Sequence, residues 1–168
     1  LKDIKEGNMN IFVLHREPAI AAMYHCDKHV TKMTLESAQM LCTVLHQNEV
    51  EDVPYLPVHP KHPCTIWAGE SLSNWLWLKE LAKFLDNEYI YRYDKGHHKS
   101  WEVIESLPNP PIEDKGLTPF AQAMPKKYKH DNPVIAYRNY YMYDKARFAT
   151  WKSPAEKPRW YRRKDNDE

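Results

Sequence analysis

The chain has 168 residues, enough for one domain with a hydrophobic core and few for two. Its 24 basic and 23 acidic residues nearly cancel, which excludes a strong overall attraction to nucleic acid or to an anionic membrane. Three cysteines without a CxxC pair indicate free thiols in a reducing compartment. With no apolar run of membrane-spanning length and no signal peptide, the sequence predicts a cytoplasmic protein without membrane contact.

The N-terminal part of the chain predicts a leader, an extended segment and a long helix. Residues 1–8 are polar and are predicted to be flexible. Residues 10–14 form an apolar run that is too short for a helix and predicts a buried strand or extended segment. Pro18 suits the first turn of a helix, where its missing N–H is not needed. Because no glycine interrupts the pattern that follows, we expect one continuous helix over residues 18–46.

The rest of the chain alternates proline-rich loops with helical patterns. Prolines recur at every third residue from Pro54 to Pro63 and predict an extended, polyproline-like loop. The fold is therefore predicted to be mainly α, a single-domain bundle of three long helices with shorter helices and proline-rich loops. The long helices are expected over 18–46, 65–92 and 132–150. The helical domain is expected over 9–158, with a basic-aromatic and then acidic tail over 159–168.

One stretch of the first predicted helix concentrates residues that can carry chemistry. At 3.6 residues per turn, its two histidines, a lysine and a glutamate fall on one helix face. Titratable groups of several kinds in one row can shift one another's pKa, which is typical of a functional site. The alternative is a solvated face held by charge pairs four residues apart. The candidate catalytic residues are His25, Asp27, Lys28, His29, Lys32 and Glu36.

Polar and aromatic residues elsewhere predict a substrate-binding surface. A histidine in the proline-rich loop is held in a stiff segment, and the third long helix interleaves cations with rings, a mixture that can grip an unstacked nucleotide. We expect this loop and this helix to converge on the face that carries the catalytic row. The alternative is that the rings belong to the core and the polar groups lie on separate faces. The candidate substrate-binding residues are His62, Asn74, Arg138, Asn139 and Tyr141.

The residue types in the row favour acid–base or imine chemistry. A partly desolvated lysine can attack a carbonyl-like carbon, while Glu36 or Asp27 stabilises an oxocarbenium or carries the proton. This pairing suits a lyase that removes a nucleobase, and it needs no metal or other cofactor. One alternative is a metal-dependent hydrolase or nuclease that uses His25 and His29. Another is a non-catalytic phage protein that binds nucleic acid or a host partner.

Several motifs resemble a family of phage and bacterial proteins. The matching segments are MNIFVL at 9–14, HCDKHVTKMTLESAQML at 25–41, HPCTIW at 62–67 and YRNYY at 137–141. The layout, with a long first helix carrying a glutamate and an aromatic-basic C-terminus, also resembles the endonuclease V type of pyrimidine-dimer DNA glycosylase.

The resemblance to these glycosylases implies an all-α fold and base excision with strand cleavage through an imine. It also implies that the partner is DNA, bound as a duplex with a flipped base. Those enzymes use an N-terminal amine, which is exposed when the initiator methionine is removed. Here Met9 is followed by Asn10, a poor site for such removal, so Lys28 or Lys32 must replace the amine if the chemistry is kept.

Overall fold

A computed structural model describes residues 9–165, and the predicted leader at 1–8 and the last three residues of the predicted tail lie outside this range. The described residues contain no strand, so the predicted mainly α fold is confirmed. They also contain no helix that is both long enough and apolar enough to cross a membrane. The helices are α1 (Pro18–Tyr24), α2 (Asp27–Gln47), α3 (Pro63–Glu70), α4 (Leu72–Tyr93), α5 (Lys99–Glu105) and α6 (Pro133–Tyr143).

The prediction of one continuous helix over 18–46 is wrong, because the chain breaks between α1 and α2. His25 and Cys26 have extended backbone, with ψ angles of 134° and 162°. Backbone groups at the break find partners in the C-terminal part of the chain. The Cys26 N–H donates to the Tyr141 hydroxyl at 3.2 Å, and the next N–H donates to the Thr150 carbonyl at 2.8 Å. The helix is therefore interrupted by tertiary hydrogen bonds, at a place where the local sequence contains no helix-breaking residue.

The side chain of Arg92, on α4, occupies this break and is fully buried. Its Nη1 donates to the His25 carbonyl at 2.7 Å and to the Asp27 carboxylate at 3.1 Å. Its Nη2 donates to the Met23 carbonyl at 3.0 Å, and its Nε donates to Glu88, one turn earlier on α4, at 3.0 Å. A guanidinium has five N–H donors in a fixed fork, so one side chain can hold two carbonyls and two carboxylates.

The predicted helix over 65–92 is also divided, because the chain turns at Ser71 between α3 and α4. Ser71 has extended backbone, with φ −155° and ψ 145°. Its hydroxyl accepts the Lys115 N–H at 2.8 Å and donates to Asp114 at 3.2 Å. The loop before α6 thus crosses this second break and satisfies its polar groups.

The core lies where α4 packs against α1 and α2, and where α2 packs against α3 and α5. Residues 10–14 are buried and run through it without forming a strand, which agrees with the extended alternative of the prediction. The Phe12 ring stacks on the His29 ring at 4.2 Å and contacts the Tyr141 ring at 5.5 Å. The N-terminal segment therefore joins α2 to α6.

The third long helix begins where the sequence predicts. The Asn132 side chain caps α6 by accepting the Val134 N–H at 3.0 Å. The helix ends at Tyr143, earlier than predicted, because the chain tightens into a 3₁₀ turn over Lys145–Arg147. Its inner face is lined by three buried tyrosines, Tyr137, Tyr140 and Tyr141.

The C-terminal segment returns over α1 and α6. Trp151 Nε1 donates to the Tyr24 carbonyl at 3.1 Å, and the Lys164 N–H donates to the Met142 carbonyl at 2.9 Å. Residues 159–165 of the predicted tail therefore pack against the helical domain.

A buried carboxylate joins α4 to the start of α5. Asp86 is 1% exposed, and it accepts a hydrogen bond from the His98 N–H at 2.7 Å and lies 2.6 Å from Nδ1 of the exposed His97. The hydrogen bond and the charge of Asp86 raise the pKa of His97 above its ordinary value of 6.5.

We expect Arg92→Gln to lower the free energy of unfolding by about 3–5 kcal/mol, because it removes a fully buried cation from two half-buried carboxylates and from two backbone carbonyls. Lys83→Gln is the matched control, since it removes an exposed cation from the same helix and should change stability by less than about 0.5 kcal/mol. Urea denaturation measures both. Equal stability of the two variants would contradict the central role of Arg92.

The His97–Asp86 pair should stabilise the protein more at low pH than at high pH. Because the pKa of His97 is higher in the folded state, this contribution is complete below about pH 6.5 and is lost as the pH rises through the folded-state pKa. His97→Asn should therefore destabilise the protein more at pH 5.5 than at pH 8.5 in urea denaturation. His59→Asn, at an exposed loop histidine with φ 45°, should show no such pH dependence. A pH-independent effect of His97→Asn would refute the linkage.

Candidate functional site

The structure encloses most of the predicted catalytic row. His25, His29 and Glu36 are each at most 3% exposed. His25 lies in the break before α2, yet its ring centroid is 6.4 Å from that of His29, so the two imidazoles remain neighbours. The Lys32 side chain is 39% exposed. The row is therefore a buried cluster that reaches the surface at Lys32, and not the solvated helix face of the alternative interpretation.

Glu36 occupies the position where this cluster approaches the surface. Its Oε1 accepts the backbone N–H of Asn10 at 3.0 Å, which ties α2 to the N-terminal segment. Its Oε2 lies 3.8 Å from Lys32 Nζ, an ion-pair distance that is too long for a hydrogen bond. Burial raises the pKa of Glu36 to about 7, against the opposing effects of Lys32, the Asn10 N–H and Lys145. This carboxyl can therefore gain or lose a proton near neutral pH.

The imidazole of His29 is held from several sides. Its Nδ1 shares a hydrogen bond of 2.6 Å with the Tyr141 hydroxyl, while the rings of Phe12 and Phe148 lie 4.2 and 5.4 Å away. Burial lowers the pKa of His29 well below 6.5, and the positive charges around it lower the pKa further. His29 is therefore neutral at pH 7. The predicted approach of the third long helix to the row is realised at Tyr141.

His25 is the most enclosed member of the cluster. Its Nδ1 donates to the Ala21 carbonyl at 2.6 Å, since a carbonyl oxygen can only accept. Its Nε2 is buried without a hydrogen-bond partner. Burial lowers the pKa of His25 to about 4, so the ring is neutral and carries a lone pair on Nε2 at pH 7.

The metal-dependent alternative requires three or more ligands around one ion. Among residues 9–165, no group of three His, Cys, Asp or Glu side chains is placed to hold a metal ion. The geometry therefore offers the metal-dependent alternative no support.

Asp27, predicted as catalytic, makes structural contacts. One carboxylate oxygen accepts from Arg92 at 3.1 Å and from the Lys152 N–H at 2.9 Å, and the other accepts from the Thr150 hydroxyl at 2.9 Å. Because three donors already occupy this carboxylate, we remove Asp27 from the site. It fastens the first turn of α2 to the C-terminal segment.

The predicted substrate-binding residues His62 and Asn74 have structural partners. His62 caps α3, since its Nδ1 accepts the Cys64 N–H at 3.1 Å. Asn74 is fully buried, and it donates to the Trp67 carbonyl at 2.8 Å and bonds Thr118 through both its amide nitrogen and its oxygen. The contacts of Asn74 tie α4 to α3 and to the loop before α6. We propose no substrate contact for His62 or for Asn74.

Arg138 and Asn139 are half-buried on α6. Arg138 Nε donates to the Leu14 carbonyl at 3.1 Å, and its guanidinium lies 5.6 and 5.0 Å from the ring centres of Tyr24 and Trp160. These partners place Arg138 beside α1 and the C-terminal segment. The contacts of His62 and Arg138 thus differ from those predicted, whereas Tyr141 contacts the catalytic row at His29, as predicted.

Lys145, which was not among the predicted site residues, lies next to the cluster in the structure. Lys145 is 5% exposed, pairs with Asp144 at 3.1 Å and lies 4.5 Å from the centre of the Tyr140 ring. It lowers the pKa of both His29 and Glu36. In the sequence, its position after the end of a helix is that of an ordinary surface lysine. Its burial follows from the 3₁₀ turn, which the sequence does not indicate.

Cations lie over aromatic rings along the surface next to this cluster. Lys28 Nζ is 4.6 Å from the Phe148 ring centre, and Lys127 Nζ is 5.1 Å from that of Tyr128. The Tyr128 ring in turn lies 5.5 Å from the Tyr140 ring, which Lys145 covers. We call this set of residues the basic-aromatic rim. Lys28 and Lys127 are exposed and Phe148 is half-buried, whereas Lys145, Tyr140 and Tyr128 are buried beneath them.

In comparisons with known proteins, no family model, no curated protein and no solved structure matches the chain. The resemblance to the pyrimidine-dimer glycosylases therefore stays a prediction that rests on the residues of this chain.

Proposed function

We propose that the protein is a cytoplasmic DNA-acting enzyme that excises or modifies a nucleobase, with Glu36 as its acid–base group. The observation that carries the proposal is the pairing of a buried carboxyl, whose pKa is raised to about 7, with a half-exposed lysine 3.8 Å away. A general acid–base group works best when its pKa lies near the pH of the reaction. Glu36 meets this condition.

Base excision uses both protonation states of such a carboxyl. The ionised form stabilises the positive charge that develops on the sugar as the bond to the base breaks. The protonated form donates a proton to the departing base. Glu36 supplies either form near neutral pH, and its hydrogen bond to the Asn10 N–H fixes its orientation.

Lys32 is the candidate for the imine step. Lys32 passes a proton to Glu36, and the resulting amine forms a bond to C1′ of the sugar as the bond from C1′ to the base breaks, while Glu36 gives that proton to the leaving base. A proton then moves from the nitrogen to O4′ as the bond from C1′ to O4′ breaks, which opens the sugar ring and leaves the protonated imine that precedes strand cleavage. Lys28 is the second candidate, and its ammonium group lies over the Phe148 ring.

The basic-aromatic rim supports DNA as the substrate. Proteins grip unstacked nucleotides by placing bases on aromatic rings and phosphates beside cations. At the rim, the exposed cations of Lys28 and Lys127 and the half-buried ring of Phe148 are the groups that can meet a nucleotide, and Lys145, Tyr140 and Tyr128 lie behind them. The whole chain has a net charge of only +1, so the attraction is local.

A non-catalytic nucleic-acid-binding protein is the second candidate. It is favoured by the enclosure of His25, His29 and Glu36, which are each at most 3% exposed and touch a ligand only if the core opens. In this case, changes in the rim would abolish function while Glu36→Gln would preserve it.

The titration of Glu36 tests its acid–base role without a substrate. A ¹³C-detected NMR titration should show a carboxyl group with a pKa near 7 that is absent in Glu36→Gln. Because the Lys32 charge lowers this pKa, Lys32→Gln should move the titration to higher pH. Lys28→Gln is the matched control and should shift it less. An ordinary carboxyl titration near pH 4.5 would remove Glu36 as the acid–base group.

Reductive trapping tests the imine. With borohydride, the wild-type protein should become covalently attached to duplex oligonucleotides that contain an abasic site or a damaged base. Lys32→Gln should abolish the adduct, and Glu36→Gln should slow its formation by about 100-fold or more. Lys99→Gln and Glu102→Gln change exposed residues of α5 and should leave it unaltered. The imine mechanism fails if the wild type forms no adduct, or if trapping persists when both Lys28 and Lys32 are replaced.

A further inference from the structure

A small cleft opens between the 3₁₀ turn at the end of α6 and the C-terminal segment. Its volume is about 260 Å³. The Lys164 N–H, bonded to the Met142 carbonyl at 2.9 Å, holds the C-terminal segment in place beside it. The residues that line the cleft are Tyr143, Asp144, Ala146, Arg147, Arg163, Lys164 and Asp165.

The charges around the cleft favour an anion. Asp144 is already paired with Lys145 at 3.1 Å and with Arg147 at 3.9 Å. The Arg147 side chain is 65% exposed, so it can turn toward a ligand at little cost. The cleft contains two carboxylates, those of Asp144 and Asp165. It also contains or adjoins four cations, which are Arg147, Arg163, Lys164 and the neighbouring Lys145. The local balance is therefore positive.

The size of the cleft indicates which anion fits. Pockets for small molecules have volumes of about 300–1,000 Å³, and this cleft is smaller than that range. It suits a phosphate group better than a complete nucleotide. The Tyr143 ring lies at its wall, 5.4 Å from Lys164 Nζ, and offers an apolar surface beside the cations.

The cleft also continues the basic-aromatic rim. Arg147, which lines it, lies 5.4 Å from the centre of the Phe148 ring, and Lys28 Nζ on α2 lies 4.6 Å from the same centre. Lys145, in the same turn as Arg147, lies close enough to lower the pKa of Glu36. A strand held in the cleft would therefore reach the rim and the acid–base group.

We propose that this cleft binds a backbone phosphate of the nucleic-acid strand whose nucleotide is presented to Glu36. Arg147, Arg163 and Lys164 supply the charge, and they position the strand without taking part in the reaction. That the phosphate belongs to a nucleic-acid strand rests on the proposed function. That the cleft binds a phosphate rests on its size and its charges.

Binding of a fluorescently labelled single-stranded oligonucleotide, measured by anisotropy over a range of salt concentrations, tests the proposal. The variant Arg147→Gln with Arg163→Gln should bind about tenfold more weakly, because charge-assisted hydrogen bonds are lost. The slope of log K against log salt should fall by about 0.7, the value for one phosphate contact on a single strand. Arg159→Gln with Arg162→Gln is the matched control. It removes the same charge from exposed residues outside the cleft lining and should keep the wild-type slope.

An equal loss in both double variants would show a general charge effect and overturn the proposal, as would an unchanged slope in the cleft variant. If the wild type binds no oligonucleotide, inorganic phosphate followed by ³¹P NMR replaces it as the probe. If the wild type binds inorganic phosphate and the cleft variant does not, the cleft is a phosphate site. The claim that the phosphate belongs to a nucleic-acid strand then fails, and so does the proposed function. Absence of both kinds of binding would overturn the cleft as well.

Discussion

The contact on which the arrangement of the site depends is the one between Arg92 and the break before α2. A single buried guanidinium holds the carbonyls of Met23 and His25 together with the carboxylates of Asp27 and Glu88. Burying such a charge is costly unless every donor is satisfied, and here its carboxylate and carbonyl partners meet that need. Because the first turn of α2 is fixed in this way, the helix can present its later side chains to the core and to the surface at defined positions.

Helix ends were predicted correctly where the local sequence carries a signal. They were missed where contacts with distant residues interrupt the helix. Asn132 followed by a proline marks the start of α6, and a side-chain cap forms there. The break at His25 carries no glycine or proline, and the glycine before the break at Ser71, Gly69, lies inside α3. Their partners lie far along the chain: Arg92 is 67 residues after His25, and Lys115 is 44 residues after Ser71. Periodicity cannot reveal a break that is made by tertiary hydrogen bonds.

The membership of the candidate site was predictable in part, and its environment was not. Helical spacing correctly groups His29, Lys32 and Glu36, since these three lie within one continuous helix. The burial of His29 and Glu36 depends on contacts with the N-terminal segment and, for His29, with Tyr141 on α6, and spacing within α2 holds no information about it. The same limit applies to Lys145, whose burial follows from the 3₁₀ turn. A lysine after a helix end has no pattern that separates a buried ammonium group from a solvated one.

The hydrogen bonds of Asn10 have a consequence for the order in which the protein folds. Its backbone N–H bonds Glu36, 26 residues away, while its side chain bonds Ala123 and Tyr137, 113 and 127 residues away. Contacts between such distant positions form late, because the chain must first close long loops. During synthesis, the ribosome must release the chain through α6 before the carboxyl of Glu36 acquires its buried surroundings. A truncated chain that lacks α6 therefore cannot complete this environment, so the buried carboxyl of the proposed site is assembled only after α6 has been made.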